Sequence, residues 1–175
     1  MTRWLQSYGR MRPLYQLALL SLLVLVSQVA HAAPKLVLAF GDSLSAGYQL
    51  KPGESFPAQL QVALVKAGRD VTVKNAGVSG DTSTAGRARL NWVLAGLKTK
   101  PDLVILELGA NDMLRGQDPA IAKANLDAML TELGKRKIPV VLAGMRASPN
   151  LGATYVKQFD AMYGAQDEAF DRSQG

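Results

Sequence analysis

Apolar residues along this chain recur in two alternating rhythms. Leu36-Val37-Leu38-Ala39-Phe40 is a continuous apolar run of strand length. From Phe56, the positions Leu60, Ala63, Leu64 and Ala67 return every three or four residues, as on one face of a helix, and Gly68 closes that helix. Val71-Thr72-Val73 predicts a second strand, and Leu90, Val93, Leu94 and Leu97 stripe the next helix. Leu103-Val104-Ile105-Leu106 is apolar throughout, as a parallel strand covered on both faces requires. Asp118-Pro119 reads as an N-cap followed by proline in the first helical position, ahead of the stripe Leu126, Met129, Leu130 and Leu133. Pro139 to Ala143 is the fourth strand, and Tyr155, Phe159 and Met162 share the inner face of a last helix. Four strands alternating with helices predict a three-layer α/β fold with a doubly wound, mainly parallel sheet. Nothing in the chain reads as an internal repeat, a linker or a second folded domain.

The first 32 residues follow a different logic. Arg3, Arg10 and Arg12 precede an apolar run from Leu14 to Val26, and Ala30-His31-Ala32 supplies small residues around a cleavage point before Ala33. This order is that of a secretory signal peptide, cleaved near Ala32/Ala33, and it predicts a periplasmic or secreted protein. The run is too short to cross a hydrocarbon core comfortably, which argues against a stable membrane anchor. The expected organisation is therefore a signal peptide over 1–32, a domain over 33–163 and an irregular polar tail over 164–175.

Composition narrows the classes of partner and chemistry. The 175 residues are 48% hydrophobic and 19% charged, a balance that builds a core. Taking the three signal arginines from the formal charge of +6 leaves +3. No basic run or aromatic-basic alternation remains, so a nucleic-acid partner has weak support and none is expected. The chain contains no cysteine, which excludes disulfides, a thiol nucleophile and Cys-ligated metals.

Candidate chemistry lies in the loops after the first three strands: Gly41-Asp42-Ser43-Leu44, Asn75 to Thr82, and Gly109-Ala110-Asn111-Asp112. All three are expected on the carboxyl edge of one parallel sheet, where open α/β folds bind their ligands. A serine hydroxyl can attack a carbonyl carbon. A glycine amide and an asparagine side chain can donate to the oxyanion that results. The serine is not in Gly-x-Ser-x-Gly, so this is no α/β-hydrolase nucleophile elbow. A phosphate-binding P-loop is absent as well.

Three segments carry a resemblance: Gly-Asp-Ser-Leu-Ser-Ala-Gly-Tyr from Gly41, Ser-Gly-Asp-Thr-Ser from Ser79, and Glu-Leu-Gly-Ala-Asn-Asp-Met-Leu-Arg-Gly from Glu107. Together they resemble the GDSL, or SGNH, hydrolase family, and within it the periplasmic thioesterase I, arylesterase and lysophospholipase group. The resemblance spans about Lys35 to Tyr163. It implies the flavodoxin-like α/β/α fold of that family, with Ser43 as nucleophile. It also implies an oxyanion hole lined by the backbone N–H groups of Ser43 and Gly80 and the Asn111 amide. The family acts on small acyl esters and thioesters without a metal or organic cofactor. Met113, Leu114, Leu151 and Tyr155 are candidates for an apolar wall that holds the acyl chain.

The departure from the family is equally specific. Its Asp-x-x-His motif, which supplies the general base and the carboxylate that orients it, has no counterpart here. The sole histidine, His31, falls in the signal segment. A last strand and closing helix of the family fold are expected to be missing along with that motif. Two functional expectations follow: a serine ester hydrolase whose chain lacks its base, or a non-catalytic acyl- or glycan-binding remnant of the same fold. A third possibility recruits Asp42, Asp81 or Asp112 as base, against the plainer role of these acids in holding loops by hydrogen bonds to backbone N–H groups.

Overall fold

A computed structural model describes residues 33–174. Residues 1–32, where a signal peptide is expected, lie outside the described residues. Four strands, β1 (Lys35–Gly41), β2 (Val71–Asn75), β3 (Leu103–Glu107) and β4 (Val140–Leu142), form one sheet in the order β2-β1-β3-β4. Every pairing is parallel, with Ala39 opposite both Asn75 and Ile105, and Ile105 opposite Val141. The expected strands are all present, within a residue or two at their ends.

The helices are α1 (Ser43–Ala46), α2 (Phe56–Lys66), α3 (Ser83–Ala95), α4 (Ala110–Leu114), α5 (Pro119–Lys135) and α6 (Ala153–Gln174), with a 3₁₀ turn at Pro149–Leu151. None of the described helices is long and apolar enough to cross a membrane. Asp118 caps α5 through Ala120 N at 2.9 Å, with Pro119 in the first turn, as its sequence specifies. Strand order fixes which face each helix covers, because parallel crossovers are right-handed. The β1-to-β2 connection runs opposite in direction to the β2-to-β3 and β3-to-β4 connections, so α2 covers one face while α3 and α5 cover the other.

The core sits on the α3–α5–α6 side. Leu38, Phe40, Val104, Leu106 and Val140 project from the sheet toward Leu90 and Leu94 of α3, Leu126, Met129 and Leu133 of α5, and Phe159 and Met162 of α6. The α2 side is thinner. Phe56 is 45% exposed, Ala63 and Ala67 lie open, and Leu60 and Leu64 are only half-buried, so the apolar stripe expected to be buried there is covered in part. The cause is placement: α2 packs on the edge strand β2, which offers half the neighbours of a central strand. One further expectation needs correcting. Residues 164–174 are helical, continuing α6 rather than forming an irregular tail. That stretch is polar but rich in Ala, Gln, Glu and Arg, good helix formers, and contains no proline.

Candidate active site

Sheet order puts a topological switch point between β1 and β3, the two strands whose outgoing loops run to opposite faces. Ligands of open α/β sheets bind in the crevice at such a point. Ser43 leaves the end of β1 as the first residue of α1, and Asn111 leaves the end of β3 within α4.

Local chemistry shapes the serine turn. Asp42 is fully buried and caps α1, its Oδ1 accepting the Leu44 N–H at 3.0 Å. Gly41 has no space for a side chain: a Cβ there would stand 2.5 Å from Glu107 Oε2 and 2.6 Å from the Glu107 carbonyl oxygen. Gly80, on the loop after β2, has φ +86°, a left-handed conformation that favours glycine, and its carbonyl accepts from Arg115 Nη2 at 2.8 Å. Ser43 itself is partly exposed.

The Asn111 side chain ties the three loops together. Its Nδ2 donates to Asp42 Oδ2 at 3.0 Å and to the Asp81 carbonyl at 2.9 Å. Asp42 and Asp81 are the chain neighbours of Ser43 and Gly80, so the Asn111 amide bonds the residue next to each of them.

The surrounding acids are all engaged in holding loops. Asp81 pairs with Arg89, whose Nη2 also donates to the Gly41 carbonyl at 3.0 Å and whose guanidinium stacks 4.0 Å from the Phe40 ring centroid. Asp112 accepts from Ser83 N at 2.7 Å and from Ser83 Oγ at 2.6 Å, binding α4 to the start of α3, where a carboxylate also meets the helix dipole favourably. Asn125 of α5 joins this network through Ser83 Oγ at 3.0 Å and Thr84 Oγ1 at 2.9 Å.

The four residues expected to form an apolar wall fare differently. Met113 is half-buried and packs on the core. Leu114 is 76% exposed, on the same short helix as Asn111. Tyr155 stacks on Phe159 with ring centroids 6.0 Å apart and donates to the Gln117 carbonyl at 2.9 Å, which ties α6 to the turn after α4. Leu151 stands exposed in the 3₁₀ turn at Pro149–Leu151, just ahead of the helix that carries Tyr155.

Sequence reasoning missed Glu107 at the end of β3. Its Oε2 accepts the Ser45 hydroxyl at 3.0 Å and the Asp42 N–H at 3.3 Å. Burial first, and then the neighbouring charge of Asp42, push its carboxyl up to about 7. Burial likewise raises Tyr163, which donates to the Leu108 carbonyl at 2.9 Å. The one signal in the sequence was a charged residue closing an otherwise apolar strand.

Comparison with known proteins bears on this geometry. The family model for the GDSL-like lipase/acylhydrolase family matches residues 39–172. An arylesterase of Vibrio mimicus is 50% identical over 96 residues, covering 55% of this chain and 46% of the relative, so this chain spans about half of that protein. The thioesterase 1/protease 1/lysophospholipase L1 of Escherichia coli strain K12 is 36% identical over 157 residues, 90% of this chain and 72% of the relative. The crystal structure of AlinE4, an SGNH-hydrolase family esterase, superposes with a TM-score of 0.78 at 51% identity, over 81% of this chain and 75% of that one.

Proposed function

The chain belongs to the GDSL-like lipase/acylhydrolase family, and on that premise we propose that its site is built to hydrolyse carboxylic esters or thioesters through an acyl-enzyme on Ser43. The observation that carries this reading is the Asn111 amide, bonded at once to the residue before Ser43 and the residue after Gly80. Ser43 Oγ attacks the acyl carbonyl. The N–H groups of Ser43 and Gly80 and the Asn111 amide receive the oxyanion, Asn111 exchanging one of its present bonds for it. The intermediate collapses by breaking the bond to the alcohol or thiol, which leaves with the proton given up by Ser43 Oγ to solvent, and water then hydrolyses the acyl-enzyme to the acid and free Ser43. The substrate is a small acyl ester or thioester whose chain lies along the apolar surface near Met113 and Leu114.

The 175-residue chain is proposed to run this chemistry slowly. No histidine follows position 31, and Asp42, Asp81 and Asp112 already hold backbone N–H groups, an arginine or a hydroxyl. A serine hydroxyl without an adjacent base is a weak nucleophile. Loss of a triad member elsewhere leaves roughly 10³–10⁴-fold catalysis over water. We therefore expect slow fluorophosphonate labelling that maps to Ser43 and vanishes in Ser43→Ala. Turnover of p-nitrophenyl butyrate should barely exceed background and rise with added imidazole only where Ser43 is intact. Ordinary enzymatic turnover dependent on Ser43 would overturn the slow rate.

The missing histidine favours one second reading, a non-catalytic acyl- or glycan-binding site on the same scaffold. Complete absence of labelling at Ser43, together with retained binding of a fatty acid or oligosaccharide, supports it. The export reading of residues 1–32 completes the proposal. It places the protein in the periplasm or outside the cell, with Ala33 as the mature N-terminus.

A further inference from the structure

The carboxyl of Glu107 stands out among the groups that the proposed chemistry does not use. It is buried, its Oε2 accepts two bonds, and its Oε1 has no partner among the described residues. We propose that Glu107 is a positioning residue of the esterase site: through Asp42 N and Ser45 Oγ it pins the serine turn to β3 and so keeps the Asp42 carboxyl aimed at the Asn111 amide. This proposal rests on the reading of Ser43 given above.

Asp42 accepts from two N–H donors, Leu44 N and Asn111 Nδ2, and it serves them best as a carboxylate. A second carboxylate at Glu107 would be a like charge at close range in a dry site, with a lone-paired oxygen left bare. One proton on Glu107 removes both costs, since it neutralises the group and can be donated to Asp42, while Oε2 continues to accept from Asp42 N and Ser45 Oγ.

The other charged or titratable groups around this cluster do not offer Glu107 a counter-charge. Arg89 of α3 is committed to Asp81 and to the Gly41 carbonyl. Asp112 of α4 is bound to Ser83. Tyr163 of α6 donates to the Leu108 carbonyl and stays protonated. Glu107 thus connects the end of β3 to the nucleophile's turn and, through Asp42, to the oxyanion donor. Its ionisation would push Asp42 away and loosen Asn111.

The test needs no catalysis. In the 175-residue protein labelled with ¹³Cδ-glutamate, the Glu107 resonance should titrate near neutrality, well above the ordinary carboxylate range. The Asn111 side-chain amide pair should move with the same midpoint. In Glu107→Gln that pair should hold its low-pH position over the whole range. Fluorophosphonate labelling of Ser43 in wild type should fall behind that of Glu107→Gln as pH passes the Glu107 midpoint. A Glu107 midpoint in the ordinary carboxylate range, or an Asn111 amide indifferent to it, overturns the proposal without any variant having to fold. Failure of Ser43 to label while the two titrations remain coupled removes the hydrolase reading instead, so the two failures can be told apart.

Discussion

Single residues set both the stability and the pH response of this site. Glu107 binds its proton more tightly folded than unfolded, since its carboxyl is raised from 4.5 to about 7. Its contribution to stability is therefore fully present below about pH 4.5 and is lost as pH climbs to about 7. Glu107→Gln, which keeps the shape without the charge, should gain on wild type across that window. Urea midpoints measured on both sides of it check this, and a constant gap would contradict it. Asp112→Ala leaves a buried amide and a buried hydroxyl without their charged acceptor. It should cost roughly 2–3 kcal/mol in urea unfolding. Ser43, Gly80 and Asn111 could be proposed from the sequence because their motif keeps them in recognisable company. The acids at positions 42, 81 and 112 were legible as loop-holders on the general habit of aspartate in turns. Glu107 was not, because its meaning lies in Ser45 and Asp42, which reach it only across the sheet.

Elements differ in how far their sequence settles their surroundings. α5 shows close agreement: its cap and proline act as read, and of its stripe Leu126, Met129 and Leu133 are buried while Leu130 is half-buried. α2 had an equally regular stripe and came out half-open, because only an edge strand lies beneath it. What its sequence concealed is a polar duty. The Gln61 amide donates to the Val71 carbonyl at 2.8 Å and accepts from Val73 N at 2.6 Å, which occupies part of the free edge of β2. Gln61→Ala should cost about 1–2 kcal/mol. It should also strip hydrogen-exchange protection from the Val73 amide, while the amides of β3 keep theirs. Equal loss in both strands would mean global destabilisation rather than an uncovered edge. The short helices α1 and α4 were not predicted at all. Four or five residues carry no periodicity, and tertiary bonds from Asp42 and Asp112 hold them.

At the scale of the whole molecule, the two faces of the sheet are unequally covered. Val141 of β4 is 51% exposed beside half-buried Ile105, and among the described residues no side chain bonds the outer edge of β4. An open edge with apolar neighbours invites pairing with another chain. Sedimentation velocity should show concentration-dependent association of the 175-residue protein, relieved by Val141→Lys without loss of the far-UV circular dichroism signal. A monomer at every concentration would contradict this. The sequence by itself determined the alternation of strands and helices, hence the α/β class, and the three loop motifs that place the chain in its family. These are local properties, since periodicity and turn chemistry depend on residues close along the chain. Tertiary structure decided the strand order, which face each helix covers and how fully, the meeting of the Asn111 amide with Asp42 and Asp81, and the burial of Glu107. Those depend on contacts between residues about 30 to 70 positions apart, whose energies arise only when loop closure brings them together.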